Sequence, residues 1–288
     1  MSAAKQLREC TVAIVGLGLM GGSLALALRG HCKSLLGCDL DQEVLKVARE
    51  KDVVDAADAN IETILPQADL IVLATPARTI LQLLPTISEF LREPAVIMDL
   101  GSTKGKILQA MRELPHYLDP VGGHPMCGKE KSGLKNASKD LFIGAPFALS
   151  ALPRTSARAR VLVEEVIQVI GARPLWIESD IHDEWVAATS HLPYLLSVAL
   201  ANATPLEAAP LIGPSFKSAT RMAASNPEMM RDIFLTNQDH VFVAIRRFIS
   251  KLENLERLIK VGDPQQLVNK FESSLNRQRR IFQNSEER

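Results

Sequence analysis

The sequence has no excess of one charge, no long hydrophobic run and no closely spaced cysteines. Its 33 Lys and Arg residues balance its 33 Asp and Glu residues, so no global field draws the chain to nucleic acid or to an acidic membrane. The longest apolar runs, such as residues 70–74, are as long as a strand and fall far short of the ~20 residues that span a membrane. We therefore expect neither nucleic acid nor a membrane among the partners.

Signals for export, disulfide formation and nucleophilic catalysis are also absent. The first nine residues are polar and contain no apolar signal core, which argues against secretion. The four cysteines form no C-x-x-C pair, so we expect reduced thiols in the cytoplasm, with neither a disulfide framework nor a zinc site. The chain has no G-x-S-x-G motif, and Cys127 has no obvious base partner.

Residues 10–178 alternate uncharged runs with amphipathic stretches. Four of the runs suit parallel strands that are covered on both faces. They are Thr11–Val15 and residues 35–38, 70–74 and 95–98, and a further strand is predicted over residues 118–121. Helical patterns lie between the runs, with Asp41 and Asn60 as N-cap residues and Pro76 near the start of a third helix. The alternation predicts an α/β fold with a doubly wound parallel sheet.

The strand signal stops after Glu178. Helices are predicted over residues 182–201, 227–235 and 238–259, and a last charged helix follows Asp263. We therefore predict a nucleotide-binding domain over residues 1–178 and an all-helical domain over residues 179–288. The basic residues near the end of the chain are interpreted as a solvated helix face.

The helices after residue 178 carry more apolar residues than a helical domain of roughly 110 residues is expected to bury alone. This excess predicts a homodimer built on the helical domain. The apolar residues are Ile233, Phe234, Leu235, Val241, Phe242, Ile245, Phe248 and Ile249.

A glycine-rich segment, GLGLMG, directly follows the first strand and opens a helix. Gly16 allows a tight turn, Gly18 lets the backbone approach a pyrophosphate, and Gly21 lets the helix pack closely on the strand. Asp39 ends the next strand, where a carboxylate binds the ribose hydroxyls of NAD and repels the 2′-phosphate of NADP. The alternative is that Asp39 is an exposed strand end or a cap. The predicted NAD site comprises Gly16, Gly18, Leu19, Met20, Gly21, Asp39, Thr75 and Pro76.

Polar residues follow the carboxyl ends of other strands, which is where ligands of such sheets bind. Ser102 follows the fifth strand, and His124 lies between two glycines and Pro125 on what we predict to be a rigid loop after the sixth. A histidine there can accept a proton near neutral pH, although an exposed loop histidine fits the pattern as well. Ser102 is also a candidate N-cap for a helix that begins near Lys104.

Two residues of the helical part are further candidates. His191 precedes Pro193, which cannot donate a hydrogen bond to the carbonyl of Thr189 and should kink the helix. The kink can aim His191 into a cleft, or His191 can be a surface residue beside it. Arg221 has apolar neighbours and no acid in the following sequence before Glu228, so it is either solvated or available to an anionic ligand.

Together these segments resemble the prephenate and arogenate dehydrogenase family over nearly the whole chain. The glycine segment is common to dinucleotide enzymes, whereas the others are specific in this order and spacing. They are residues 16–23 (GLGLMGGS), 99–104 (DLGSTK), 123–128 (GHPMCG), 130–133 (EKSG), 190–193 (SHLP) and 219–227 (ATRMAASNP).

The resemblance implies NAD-dependent oxidative decarboxylation of prephenate to 4-hydroxyphenylpyruvate in tyrosine biosynthesis, with arogenate as the alternative substrate. It also implies a Rossmann-type domain followed by a helical dimerisation domain that forms a homodimer. By the resemblance His124 takes the proton of the substrate ring hydroxyl, and Ser102 orients both groups. Arg221 would hold the ring carboxylate, His191 would lie near the substrate side chain, and Glu130 would line or gate the site.

Lys129, Tyr194 and Met230 depart from the family pattern. Tyr194 stands where prephenate-using members often have His, so the choice between prephenate and arogenate stays open. A dehydrogenase or reductase of β-hydroxy acids or imines is an alternative, but the β-hydroxy acid enzymes usually rely on a lysine, and none lies between His182 and Lys217. A non-catalytic NAD-sensing protein is another alternative, and it would keep the glycine segment and Asp39 but would not need His124, Ser102 and Arg221 together.

Overall fold

The computed structural model describes residues 5–91, 93–129 and 131–286. Two compact units, Met1–Val241 and Phe242–Arg288, divide the chain. Within these residues eight strands lie before residue 178, and every later element is helical. The domain boundary at residue 178 stays a prediction, because the compact units divide the chain at a different point.

One eight-stranded sheet, with the strand order β3-β2-β1-β4-β5-β6-β7-β8, forms the centre of the first unit. Its strands are β1 Thr11–Val15, β2 Ser34–Cys38, β3 Ala56–Asp58, β4 Leu70–Leu73, β5 Ala95–Asp99, β6 Leu118–Pro125, β7 Pro146–Ala151 and β8 Arg173–Trp176. The α/β prediction is confirmed, but the sheet is not wholly parallel, because β7 runs antiparallel to β6. A parallel pair needs a crossover connection, usually a helix. The link between β6 and β7 contains only the short 3-10 turn Leu134–Asn136 among its described residues.

The described residues form twelve α-helices. They are α1 Leu19–Leu28, α2 Gln42–Glu50, α3 Ile61–Ile64, α4 Ala77–Ile87, α5 Gly105–Arg112, α6 Ala157–Val169, α7 Ser179–Val186, α8 Leu192–Ala203, α9 Pro214–Thr220, α10 Pro227–Thr236, α11 Gln238–Val261 and α12 Pro264–Glu286. In the described ranges none of them is both long and apolar enough to cross a membrane.

Successive residues of β1 face opposite sides of the sheet, and each side is fully buried. Val12 and Ile14 pack in one apolar layer with α1 and α6, and Ala13 and Val15 pack in the other with α4 and α5. Burial on both faces explains why the sequence of β1 contains no charged residue, as a covered parallel sheet requires.

Local signals identified the capping residues of two helices correctly and that of a third incorrectly. The side chains of Asp41 and Asn60 accept hydrogen bonds from the second backbone N–H groups of α2 and α3, so both N-cap predictions are confirmed. The prediction that Ser102 caps α5 is wrong. The carboxylate of Asp183, from α7, accepts hydrogen bonds from the backbone N–H groups of Lys104 and Gly105 at 2.7 and 2.8 Å. Asp183 thus occupies the position at which a cap satisfies the free N–H groups of a helix.

The long helix predicted over residues 182–201 is interrupted. The stretch Ala187–His191 between α7 and α8 is a π-helical turn, and Pro193 is the second residue of α8. Pro193 has no N–H to donate to the carbonyl of Thr189, so the ordinary helical hydrogen bond is missing at that point. Such a turn re-aims the residues it contains and is frequent at functional sites. The predicted break of the helical pattern before Pro193 is present as this π-helical turn, and His191 is its last residue.

Candidate active site

The glycine segment after β1 has the backbone of a dinucleotide-binding turn. Gly16 has a φ of 95°, in the left-handed region that favours glycine. A side chain on Gly21 would overlap the carbonyl oxygen of Gly16, so α1 packs directly on the turn. No described protein atom lies within 4 Å of the position that a side chain of Gly18 would take, which leaves room for a ligand beside the N-terminus of α1.

Asp39, at the end of β2, holds the glycine segment. Its carboxylate accepts hydrogen bonds from the backbone N–H groups of Leu17 at 2.7 Å and Asp41 at 3.0 Å. Each oxygen keeps a second lone pair for a hydroxyl donor. After the end of β4, which lies on the other side of β1, Oγ1 of Thr75 is buried and has no hydrogen-bond partner within the described part of the chain. These features fit the predicted NAD site, because a ribose and a pyrophosphate bring the hydroxyls and oxygens that such groups bind.

A buried ion pair fixes the end of β6. Asp99, the last residue of β5, and Lys104 are both fully buried and are paired with each other. The ammonium group of Lys104 also donates to the carbonyl of Gly123 at 2.7 Å, and the carboxylate of Asp99 accepts from the N–H of Gly123 at 3.2 Å. Burial raises the pKa of Asp99 and lowers that of Lys104, while the attraction between the two opposes both shifts. The pair thereby holds the residue that precedes His124 on both sides of its backbone.

His124 lies within β6, opposite Ala148 of β7, and the prediction of a loop after residue 121 is wrong. The antiparallel pairing with β7 continues past Val121, where the pairing with β5 ends, and it carries the strand to Pro125. Nδ1 of His124 lies 2.9 Å from Nε2 of His182 on α7. Burial lowers the pKa of His124 well below 6.5, and the neighbouring His182, Lys104 and His191 lower it further.

His182 connects His124 to a buried carboxylate. Nδ1 of His182 lies 2.8 Å from Oδ1 of Asp183, and both residues are buried. Burial alone would raise the pKa of Asp183, but the hydrogen bonds from His182 and from the N-terminus of α5 lower it below 3.8. Asp183 is therefore ionised at neutral pH and can only accept hydrogen bonds.

His191 belongs to the same network. Nδ2 of Asn237, just after α10, donates to the main-chain carbonyl of Asp183 at 2.8 Å and lies 3.3 Å from Nδ1 of His191. Burial lowers the pKa of His191 to about 4, so its ring is neutral near pH 7. The structure thus brings two of the predicted site residues, His124 and His191, into one chain of hydrogen bonds.

The structure does not connect the remaining predicted substrate and catalytic residues to this chain of hydrogen bonds within its described residues. Ser102 is half-buried on the segment before α5, and its side chain makes no hydrogen bond to His124 in the ranges that the structure describes, so its orienting role stays a prediction. Arg221 is exposed at the start of the 3-10 turn Arg221–Ala224, beside α8, where the hydroxyl of Ser197 donates to the carbonyl of Ala219 at 2.6 Å. Glu130 lies outside the described residues.

Sequence reasoning missed the roles of His182, Asp183 and Asn237. One signal was available for the first two, because His182 and Asp183 precede Val186 and Ala187 by four residues and share their helix face. All four are buried, so two polar side chains occupy an apolar face. A polar pair in such a position requires internal partners.

Two other kinds of site were considered in the sequence, a nucleophilic cysteine and a metal centre. Burial raises the pKa of Cys127 to about 11, so its thiol stays protonated and is a poor nucleophile. No group of three His, Cys, Asp or Glu side chains is arranged to hold a metal ion within residues 5–91, 93–129 and 131–286.

Comparison with protein families gives two matches that together cover most of the chain. Residues 24–175 match the prephenate dehydrogenase nucleotide-binding domain, and residues 178–273 match the prephenate dehydrogenase dimerization domain. The first match begins after Gly21, so the glycine segment lies outside it.

Individual relatives cover nearly the full chain. The prephenate dehydrogenase of Bacillus subtilis is 29% identical over 275 residues, which are 92% of this chain and 74% of that protein. A crystal structure of prephenate dehydrogenase from Aquifex aeolicus in complex with hydroxyphenyl propionate and NAD+ is 31% identical with a TM-score of 0.88, over 98% of this chain and all of that one. The arogenate dehydrogenase of Synechocystis is 27% identical with a TM-score of 0.83, over 94% of this chain and 99% of that one. The chain belongs to the prephenate dehydrogenase family.

Proposed function

We propose that the protein is an NAD-dependent dehydrogenase that oxidises and decarboxylates prephenate, with arogenate as the alternative substrate. The observation that carries the proposal is the hydrogen-bonded chain from His124 through His182 to Asp183. It leaves Nε2 of His124, a neutral histidine with a lowered pKa, to act as a base. A β-hydroxy acid or imine dehydrogenase, or a protein that only senses NAD, is not the function that this family membership supports.

NAD would bind to the segment 16–21, with its pyrophosphate at the N-terminus of α1 and its ribose hydroxyls at Asp39. Thr75 and Pro76 would lie beside it at the end of β4. Support comes from the open space at Gly18 and the unpartnered hydroxyl of Thr75 within the described residues. Bound NAD supplies the acceptor for the hydride that leaves the carbinol carbon of the substrate.

The residues of the chain would supply orientation and proton transfer. Nε2 of His124 takes the proton of the ring hydroxyl as the C–H bond of the same carbon breaks, and Ser102 orients the hydroxyl. The loss of CO2 then makes the ring aromatic, which drives the step. Arg221 would hold the ring carboxylate, and His191 would donate to the side chain of the substrate. Holding these groups in place is the main source of the rate enhancement.

The test is NADH formation by the purified protein with prephenate and with arogenate as separate substrates. We expect turnover with at least one of them, with NAD preferred over NADP. Tyr194 lies on the first turn of α8, its ring centroid 5.7 Å from that of Phe234, which also contacts His191. A Tyr194→His variant, assayed in parallel, measures whether this neighbourhood decides the ratio of the two substrates. No turnover with either substrate would contradict the proposed function.

We also propose a homodimer in the cytoplasm. The match of residues 178–273 to a dimerization domain supports the dimer. So does the exposure of large apolar side chains on the second unit, where a monomer would leave them in water. The most exposed of the aromatic and aliphatic residues there include Phe242, Leu252, Ile259, Phe271, Ile281 and Phe282. The cytoplasmic location is supported by the four free cysteines, which suit a reducing compartment.

A further inference from the structure

Asp183 accepts hydrogen bonds from three parts of the site: His182, the N-terminus of α5 and Asn237. Its carboxylate accepts from Nδ1 of His182 and from the backbone N–H groups of Lys104 and Gly105. Its main-chain carbonyl accepts from Nδ2 of Asn237 at 2.8 Å. The residue is 3% exposed, so these partners replace water. Such a network fixes the donor and acceptor role of every atom in it.

The carboxylate decides which nitrogen of His124 carries hydrogen. An ionised carboxylate only accepts, so Nδ1 of His182 must bear the hydrogen of that bond. In neutral His182 the other nitrogen, Nε2, is then an acceptor. Nδ1 of His124 lies 2.9 Å from that nitrogen and must donate to it. Nε2 of neutral His124 therefore keeps a free lone pair.

The main-chain carbonyl of Asp183 fixes the opposite tautomer in His191. It accepts from the amide nitrogen of Asn237, and this fixes which end of the amide is nitrogen. The same nitrogen lies 3.3 Å from Nδ1 of His191, which must therefore accept. A neutral His191 then carries its hydrogen on Nε2 and is a donor there.

We propose that Asp183 is a positioning residue that sets opposite tautomers in the two histidines, making Nε2 of His124 an acceptor and Nε2 of His191 a donor. One residue thereby prepares the base for the ring hydroxyl and a donor for the acceptor oxygens of the substrate side chain. The functional roles rest on the proposed function, whereas the tautomers themselves do not.

Nitrogen-15 NMR of protein labelled at histidine tests the tautomers without turnover. Spectra are recorded well above the ordinary histidine pKa of about 6.5, and the ring signals are assigned by their loss in His124→Asn and His191→Asn variants. We expect hydrogen on Nδ1 in His124 and on Nε2 in His191. The reverse tautomer in either ring would overturn the proposal, even if the protein turns prephenate over.

Two variants of His182 test the connection to catalysis. His182→Gln keeps an acceptor oxygen near Nδ1 of His124, whereas His182→Leu removes it. We expect His182→Leu to lower kcat about 10- to 100-fold, by analogy with the loss of the orienting partner of a metal-binding histidine, and His182→Gln to restore most of the activity. KM for the substrate and the Kd for NAD should change little in both. His116→Leu, at an exposed histidine, is the matched control and should leave kcat unchanged.

Equal kcat values for the two His182 variants would overturn the role of the acceptor, whether both are normal or both are low. If His182→Leu fails to fold, which thermal unfolding detects, the nitrogen-15 spectrum of His182→Gln is the test, because the hydrogen must stay on Nδ1 of His124.

Asn237→Leu tests the part of the proposal that concerns His191. This variant should raise KM more than it lowers kcat, and both tautomers of His191 should be populated. An unchanged His191 signal would contradict the role of Asn237 in fixing the tautomer.

Discussion

The rings of His124 and His182 meet edge to face, with their centroids 5.1 Å apart and their planes at 72°. The contact joins the end of β6 to α7, the first helix after the sheet, across 58 positions of sequence. Because Nδ1 of His124 is engaged, Nε2 is the nitrogen that remains to meet a substrate proton. The base is therefore held in position before any substrate binds, which is the arrangement that lowers the cost of reaching the transition state.

Replacing His124 by Asn should separate chemistry from binding. His124→Asn keeps a polar group on β6 but removes the base, so kcat should fall by about 10²–10⁴-fold while KM changes little. Steady-state NADH formation measures both constants. His116→Asn changes an exposed histidine in the same way and should behave like the unchanged protein. A nearly normal kcat in His124→Asn would mean that the histidine only positions the substrate.

The pH dependence of kcat/KM should follow the lowered pKa of His124. Activity needs the neutral ring, so it is lost as the pH falls through the pKa of this residue. Burial lowers that pKa well below 6.5, and the loss should therefore begin at a more acidic pH than for an ordinary histidine. Initial rates at low substrate concentration measure the profile, with samples returned to neutral pH to confirm that the protein survives. A midpoint above about 7 would assign the acidic limb to another group.

Local sequence signals predicted much of the first unit. The uncharged run Thr11–Val15 has the same first and last residues as β1, and Asp41 and Asn60 cap their helices. These features could be predicted because they depend only on neighbouring residues. The direction of β7 depends instead on the connection from β6, whose described residues contain only the 3-10 turn Leu134–Asn136 and no crossover helix. The sequence of β7 does not reveal its direction, since the strand is mostly buried and is an apolar run.

Some residues of the candidate site could be predicted from local sequence, and others could not. His124 stands out because two glycines precede it and Pro125 follows it, and His191 because it lies two positions before Pro193; each pattern marks a backbone constraint. The partner of each is far away in sequence: His182 for the first and Asn237 for the second. Asp183 replaces Ser102 as the cap of α5 for the same reason, since a distant carboxylate reaches the free N–H groups. Pairings made by the tertiary fold leave no local pattern.

Arg221 should act through substrate binding. Arg221→Ala removes charge-assisted hydrogen bonds to a carboxylate, each set contributing roughly 1.5–3 kcal/mol, so KM should rise about 10- to 150-fold. The Kd for NAD, measured by titration, should stay the same, because the nucleotide site is formed by β1, β2 and β4. Arg112→Ala, at an exposed arginine of α5, is the control and should leave KM unchanged. An unchanged KM in Arg221→Ala would show that another residue binds the carboxylate.

Asp39 should set the preference for NAD over NADP. The loss of ribose hydrogen bonds and the repulsion of the 2′-phosphate should disfavour NADP by roughly 2–4 kcal/mol, about 30- to 900-fold in kcat/KM. Asp39→Ser should narrow this gap. It should also weaken NAD binding, because the carboxylate holds the N–H of Leu17. Asp41→Ser is the matched control, since serine is an equally good N-cap, and it should keep the cofactor ratio. Equal use of both cofactors by the unchanged protein would contradict the role of Asp39.

The apolar surface of the second unit should hold two copies of the chain together. Phe271 on α12 is 58% exposed, and Phe282 and Ile259 are similarly exposed. A charge at the centre of such a surface would have to be buried on association, so Phe271→Glu should convert dimer to monomer at micromolar concentration. Sedimentation velocity measures the change.

Ser273→Glu adds the same charge two positions along α12, on a different side of the helix, and serves as the control. It should stay dimeric if the apolar surface, and not the net charge, drives association. Circular dichroism must show the same helix content in both variants, so that a loss of folding is not mistaken for dissociation. If the unchanged protein sediments as an active monomer, the dimer proposal is wrong, and the exposed aromatic residues of α11 and α12 require another partner.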